Sequence, residues 1–162
     1  MKNTELATLG AGCFWGVEDL LRKVEGVLSA TCGYCGGKTE SPSYKDICTG
    51  QTGHAEVVQI EFDSTQISFE TVLDYFFRLH DPTTLNRQGP DSGTQYRSVI
   101  YCHSEEQEKK AIVSKEKWQA SGKFKNPIVT EIAPAQKFYP AEEYHQRYFE
   151  RNGGISCHYL RD

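Results

Sequence analysis

The sequence predicts an α+β fold in which helices cover a mixed or antiparallel sheet. Three observations carry this. Residues 56–62 alternate with period two: Glu56, Val58, Ile60 and Phe62 on one face, Val57, Gln59 and Glu61 on the other. Apolar residues recur at helical spacing in Val17, Leu20, Leu21 and Val24, and again in Val72, Leu73, Phe76 and Phe77. Strand and helix patterns are interspersed, with some strands following one another directly.

Taken in order, residues 5–9 read as a strand leading into Gly10-Ala11-Gly12. The helix that follows stops at Gly26, and residues 27–33 offer a second strand. The stretch 34–53 is rich in Gly, Ser, Thr and Pro and reads as loop. After the alternating strand, Ser68 can cap the next helix. Residues 82–95 hold two prolines and two glycines and form a long loop of the kind that is often functional. Residues 97–102 read as a strand. Ser104 with Gln107 makes a capping box for a helix running to about Gly122. A strand at 128–133 and a last helix at 141–152, ended by Gly153-Gly154, complete the chain.

At 162 residues this is most simply one domain, long enough to bury a core without staples. From about residue 153 the glycines predict a mobile C-terminal tail. The net charge of -4 with both signs interspersed argues against a nucleic-acid surface or a polybasic membrane anchor. No apolar run approaches the ~18 residues of a membrane span. The N-terminus lacks the apolar core of a secretory signal, so a cytoplasmic location is expected. The six cysteines are not needed as a scaffold in a chain this size, and catalytic or redox use of a few is the better reading. Met1 is the only methionine.

The most informative segment is Gly12-Cys13-Phe14-Trp15-Gly16. Cys13 stands between a short apolar strand and the start of an amphipathic helix. A helix N-terminus favours an anion through its free N–H groups and dipole. A thiol there ionises more easily, and the thiolate is the nucleophile. Gly12 and Gly16 allow sharp turns and close approach, and Phe14 and Trp15 wall the sulfur with apolar surface. A small apolar substrate with one polar atom suits such a place.

That segment resembles the signature of the methionine sulfoxide reductase A family. Further blocks follow in order: Gly33-Tyr34-Cys35-Gly36-Gly37; Tyr44 with Gly50-Gln51-Thr52-Gly53-His54-Ala55-Glu56; and His80-Asp81-Pro82-Thr83 with Leu85 to Gly89 and Asp91 to Ser98. The resemblance spans roughly residues 5 to 157. It implies a two-layer fold with a ferredoxin-like core. It also implies thiol-dependent reduction of the S epimer of methionine sulfoxide, protein-bound or free, with no cofactor and with thioredoxin as electron donor. A monomer is expected.

Thiolate attack on a sulfoxide puts charge on its oxygen, so the reaction needs an acid or hydrogen-bond donors there, and an apolar pocket for the methyl group. Cys13 is the expected nucleophile, and Phe14 and Trp15 the methyl pocket, although two aromatics taken alone are more often core. Glu56 is the expected acid, since a carboxylate pointing at the buried face has its pKa raised. Taken without the motif, it is better read as a strand-end carboxylate reaching water. Tyr44 and Tyr96 are expected donors to the oxygen. Asp91 either orients polar groups of the loop or of a bound backbone, or is a turn residue bonding its own backbone. Cys157 is the expected resolving thiol. The attack leaves a sulfenic acid on Cys13, which condenses with a second thiol to a disulfide. The residues around Cys157 depart from the commoner family pattern, and no further cysteine follows, which implies one recycling step.

Cys32 and Cys35 are the main departure from the family. Their Cys-x-x-Cys spacing fits packing best, but also a redox pair or half a zinc site, and Cys35 is a rival resolving thiol. Cys48 and Cys102 read as core or loop residues. His145 and His158 show no partner at catalytic spacing. Two rival functions follow: another thiol oxidoreductase or peroxidase, which leaves Phe14, Trp15 and Glu56 unexplained, and a non-enzymatic zinc-binding module on Cys32 and Cys35.

Overall fold

The structure, a computed structural model, describes residues 3–154 and 158–160. In chain order its elements are β1 (Thr4–Ala11), α1 (Phe14–Arg22), β2 (Val27–Cys35), α2 (Tyr44–Cys48), β3 (Ala55–Asp63), α3 (Phe69–Leu79), β4 (Arg87–Gln88), β5 (Asp91–Ser92), β6 (Ser98–Cys102), α4 (Glu105–Ala120), β7 (Glu131–Pro134), β8 (Tyr139–Pro140) and α5 (Tyr148–Asn152). Short 3-10 turns lie at Thr94–Tyr96 and Glu143–His145. One six-stranded sheet runs β7-β6-β1-β3-β2-β8, and β4 with β5 forms a separate hairpin. All pairings in the large sheet are antiparallel except β6 with β7. Its four central strands, β1-α1-β2 followed by β3-α3-β6, pair in the order fourth-first-third-second. That is the ferredoxin-like core, and the expected α+β class is the one observed.

The helices cover one face. Val17 and Leu21 of α1, Val72, Leu73 and Phe76 of α3, and Ala111 of α4 pack with Val58, Ile60 and Phe62 of β3. The opposite face carries a smaller core of Cys35, Ala55, Val57, Val99 and Tyr101. Val57 is therefore buried, whereas Glu61 on the same face, farther along β3, is exposed. Glu56 shares its phase with Val58, so it points toward the helices.

Several local expectations change under tertiary contacts. The stretch 34–53 contains α2, capped by a full reciprocal box in which Ser43 accepts from Asp46 N–H and Asp46 accepts from Ser43 N–H. At α4, Ser104 accepts from Gln107 N–H. The Gln107 side chain accepts from His103 N–H and donates to Leu6 O instead, which ties the helix to β1. The strand expected at 128–133 begins at Glu131. Before it, Ile128 N–H goes to Gln119 Oε1 and Val129 N–H to Pro82 O, so neither is free for a sheet ladder. The helix expected at 141–152 is broken into a 3-10 turn and α5 by Arg147, whose φ is +51°. The break lets Glu142 and Gln146 reach the sheet side. Gln146 accepts from Cys32 N–H at 2.8 Å and donates to Cys32 O at 2.9 Å.

Candidate active site

Cys13 is the N-cap residue of α1, as its place after a strand and before an apolar helix requires, and it is partly exposed. The turn into it runs through Gly12 at φ +95°, and a Cβ there would lie 2.7 Å from Gln88 Cγ. Glycine is thus required by both conformation and space. Gly16, by contrast, is a buried residue inside α1 and makes no turn.

The first helical N–H, that of Phe14, donates to Glu56 Oε1 at 3.2 Å. Glu56 is only 1 % exposed, and its Oε2 has no hydrogen-bond partner among the described residues. Burial pushes its pKa from 4.5 up to about 8; the Phe14 N–H opposes the rise and the negative charge of Asp91 adds to it. A carboxyl group placed this way holds a proton at neutral pH. The carboxyl group is buried and does not reach the surface, so the strand-end alternative does not hold.

Tyr44 opens α2, and Tyr96 closes the 3-10 turn after the β4–β5 hairpin. Burial raises both phenols, Tyr96 to about 12, with the charge of Glu56 adding to each. The field of Asp91 and of Cys13 is also felt at Tyr96. The fold therefore gathers Cys13, Tyr44, Glu56, Asp91 and Tyr96 around the start of α1, although the β1–α1 connection, α2, β3, β5 and a 3-10 turn supply them.

Phe14 is buried and Trp15 half-buried. Phe14 lies 5.7 Å from the Tyr34 ring and 6.3 Å from Tyr44. Trp15 stacks on Tyr148 with centroids 3.8 Å apart and planes 6° from parallel. Its indole N–H donates to His145 Nδ1 at 2.9 Å. The His145 ring also touches Phe14 and Tyr44. Burial lowers the pKa of His145, so the ring is neutral and a good acceptor at Nδ1. Sequence spacing gave His145 and His158 no partner, but the fold supplies one to each. His158 is buried, with Nε2 2.8 Å from Ala11 O, two residues before Cys13. Tyr148 and His145 were missed because nothing in local spacing links residues 145–148 to residue 15. The density of aromatics at 138–149 was the available signal.

The thiols of Cys32 and Cys35 diverge. Cys32 packs in the helix-side core, with Sγ donating to Phe14 O at 3.6 Å. Cys35 lies in the core of the other face, with Sγ on Gln136 O at 3.7 Å. Residues three apart on a strand point to opposite sides. No group of three or more metal-ligating side chains occurs among the described residues. Both cysteines are packing residues, and the zinc-module rival loses its basis. Cys157 lies outside the described residues.

A thiol at a helix start, a protonatable buried carboxyl group against the same helix end, and phenols beside them define a class: a thiol enzyme on a ferredoxin-like sheet. The chain belongs to the peptide methionine sulfoxide reductase family, whose model matches residues 5–162. It is 57 % identical over 157 residues to the peptide methionine sulfoxide reductase MsrA of Methanothermobacter thermautotrophicus, covering 97 % of this chain and 93 % of that one. Among solved structures it is similar to Mxr1 from Saccharomyces cerevisiae in reduced form, at 45 % identity and a TM-score of 0.93 over 99 % of this chain and 93 % of that one. It is also similar to Mxr1 in complex with Trx2, at 31 % identity and a TM-score of 0.68 over 99 % and 91 %.

Proposed function

We infer that this protein reduces methionine sulfoxide to methionine, using its own thiols and thioredoxin as the electron source. Family membership and the thioredoxin-type partner of the similar yeast structure support the activity and the donor. In our reading Cys13 attacks the sulfoxide sulfur as a thiolate. The S–O bond breaks as the oxygen transfers to Cys13, leaving a sulfenic acid and releasing methionine. Glu56 supplies a proton to the developing oxyanion, and Tyr44 and Tyr96 donate hydrogen bonds to it. Phe14 and Trp15, braced by His145 and Tyr148, hold the methyl group. Asp91 keeps the proton on Glu56 and orients the backbone of the bound substrate.

The observation that carries this reading is the split environment of Glu56. One oxygen is spent on Phe14 N–H, and the other is buried and has no partner among the described residues. A buried orphan carboxyl oxygen is costly in a resting protein, and a substrate oxygen that accepts a hydrogen bond from its proton relieves that cost.

The second half of the cycle assigns Cys157 as the resolving thiol. It condenses with the sulfenic acid to give the Cys13–Cys157 disulfide and water, and a thioredoxin dithiol then reduces that bond. The S epimer, and action on both free and protein-bound substrate, belong to the same proposal. So does monomeric action. A cytoplasmic location fits the free thiols of Cys32, Cys35, Cys48 and Cys102. The test is turnover of each epimer of a dabsylated methionine sulfoxide with dithiothreitol. Cys13→Ser is expected to be inactive, because an alcohol is neither ionised nor soft enough to attack sulfur. Comparable turnover by that variant would remove the mechanism.

A further inference from the structure

Glu142 has no part in the scheme above, yet its carboxylate is unusually engaged. Oε1 accepts from the Tyr34 hydroxyl at 2.9 Å. Oε2 accepts from the Tyr44 backbone N–H at 2.9 Å and from the Tyr144 hydroxyl at 3.3 Å. Tyr34 and Tyr44 are two of the rings packed around Phe14. One charge therefore ties β2 and α2 to the turn that carries His145, and the His145 ring centroid lies 4.4 Å from that of Tyr44. The same turn grips Tyr44 twice, by its backbone and by its ring.

We propose that Glu142 is a positioning residue for sulfoxide reduction: it holds the first residue of α2 so that the Tyr44 hydroxyl stands where the substrate oxygen develops charge. α2 has only five residues, too few to hold its own orientation. Its capping box satisfies Asp46 N–H and leaves the Tyr44 N–H to an outside acceptor. A carboxylate can accept at both oxygens at once. A glutamine in place of Glu142 keeps one acceptor oxygen for the Tyr44 N–H, but its NH2 can only donate to the Tyr34 hydroxyl, so the charge-assisted bonds of the carboxylate are lost. Partial burial opposes the charge, but the Tyr44 N–H and the Tyr34 hydroxyl outweigh it, and the carboxyl pKa falls below its ordinary value. The grip is thus in its charged form wherever the thiol chemistry runs.

The inference rests on the reading of Tyr44 as an oxygen donor, and the test separates the two. Single-turnover rates at saturating sulfoxide are measured for wild type, Glu142→Gln, Tyr44→Phe and the double variant. If Glu142 acts through Tyr44, each single change slows the first step by about tenfold, with half-saturation moved much less. The double variant is then no slower than the slower single variant by more than about twofold. Multiplying effects would show that Glu142 supports the fold generally and would overturn the proposal. A Tyr44→Phe variant as fast as wild type would overturn the donor reading, and the proposal with it. If Glu142→Gln does not fold, Tyr34→Phe takes its place in the same cycle. It frees one carboxylate oxygen and must show the same non-additivity with Tyr44→Phe.

Discussion

At the scale of single residues, the account turns on proton placement. Glu56 is useful only while protonated, and burial raises its pKa to about 8. The first-step rate of the wild type should therefore fall as pH rises through about 8. Glu56→Gln should be slower at neutral pH by ~10²–10⁴-fold and should lose that limb of the profile. Stopped-flow single turnovers across pH 6 to about 10 would check both. The same burial has a thermodynamic sign. A carboxyl group with a raised folded-state pKa contributes stability that is full below about 4.5 and is lost as pH rises through about 8. At about pH 9 the native state carries an uncompensated buried charge. Glu56→Gln is then expected to melt a few degrees above wild type, as each kcal/mol moves a chain this size by roughly 2–4 °C. A variant melting below wild type at pH 9 would show that the carboxylate is better solvated than its burial implies. These gains and losses fall on one side chain, as expected where a protein places a strained group for chemistry.

At the scale of elements, the strands and long helices were legible because their periods are set by burial. The alternation at 56–62 and the spacing of Val72, Leu73, Phe76 and Phe77 match β3 and α3. The segment 139–152 was not legible as built, because its geometry comes from partners over 100 residues away. Gln146 completes the backbone of Cys32. Arg147 N–H bonds the carboxylate of Glu18, itself paired with Arg22 on α1. No local pattern announces a glutamine that will act as a strand. Gln146→Ala should leave the Cys32 N–H without a partner and cost ~1–3 kcal/mol. Urea denaturation would measure it, and a loss below about 0.5 kcal/mol would mean that water replaces the side chain without cost. The same variant should loosen His145 and Tyr148 against Trp15, visible as a red shift of tryptophan emission.

At the scale of the whole molecule, the site is a meeting of distant segments. Cys13, Glu56 and Tyr44 were legible through ordered motif blocks, which place residues in a known arrangement without deriving it. His145, Tyr148 and His158 were not, because their contacts with residues 11–15 exist only once the chain has closed on itself. Closure also bears on recycling, where the proposed thiol is near the C-terminus. Cys157→Ser is expected to complete one turnover per enzyme and then stop with thioredoxin, while Cys35→Ser recycles normally. Cys35 points into the core of the opposite sheet face, so steady turnover by Cys157→Ser with loss in Cys35→Ser would reverse the assignment. The most direct test of the central claim is to give Cys157→Ser one equivalent of methionine S-sulfoxide without reductant and map the product by mass. One methionine should be released per chain, with a single added oxygen on Cys13 that dimedone captures. Oxygen on another cysteine, or methionine released with Cys13 unmodified, would contradict the account.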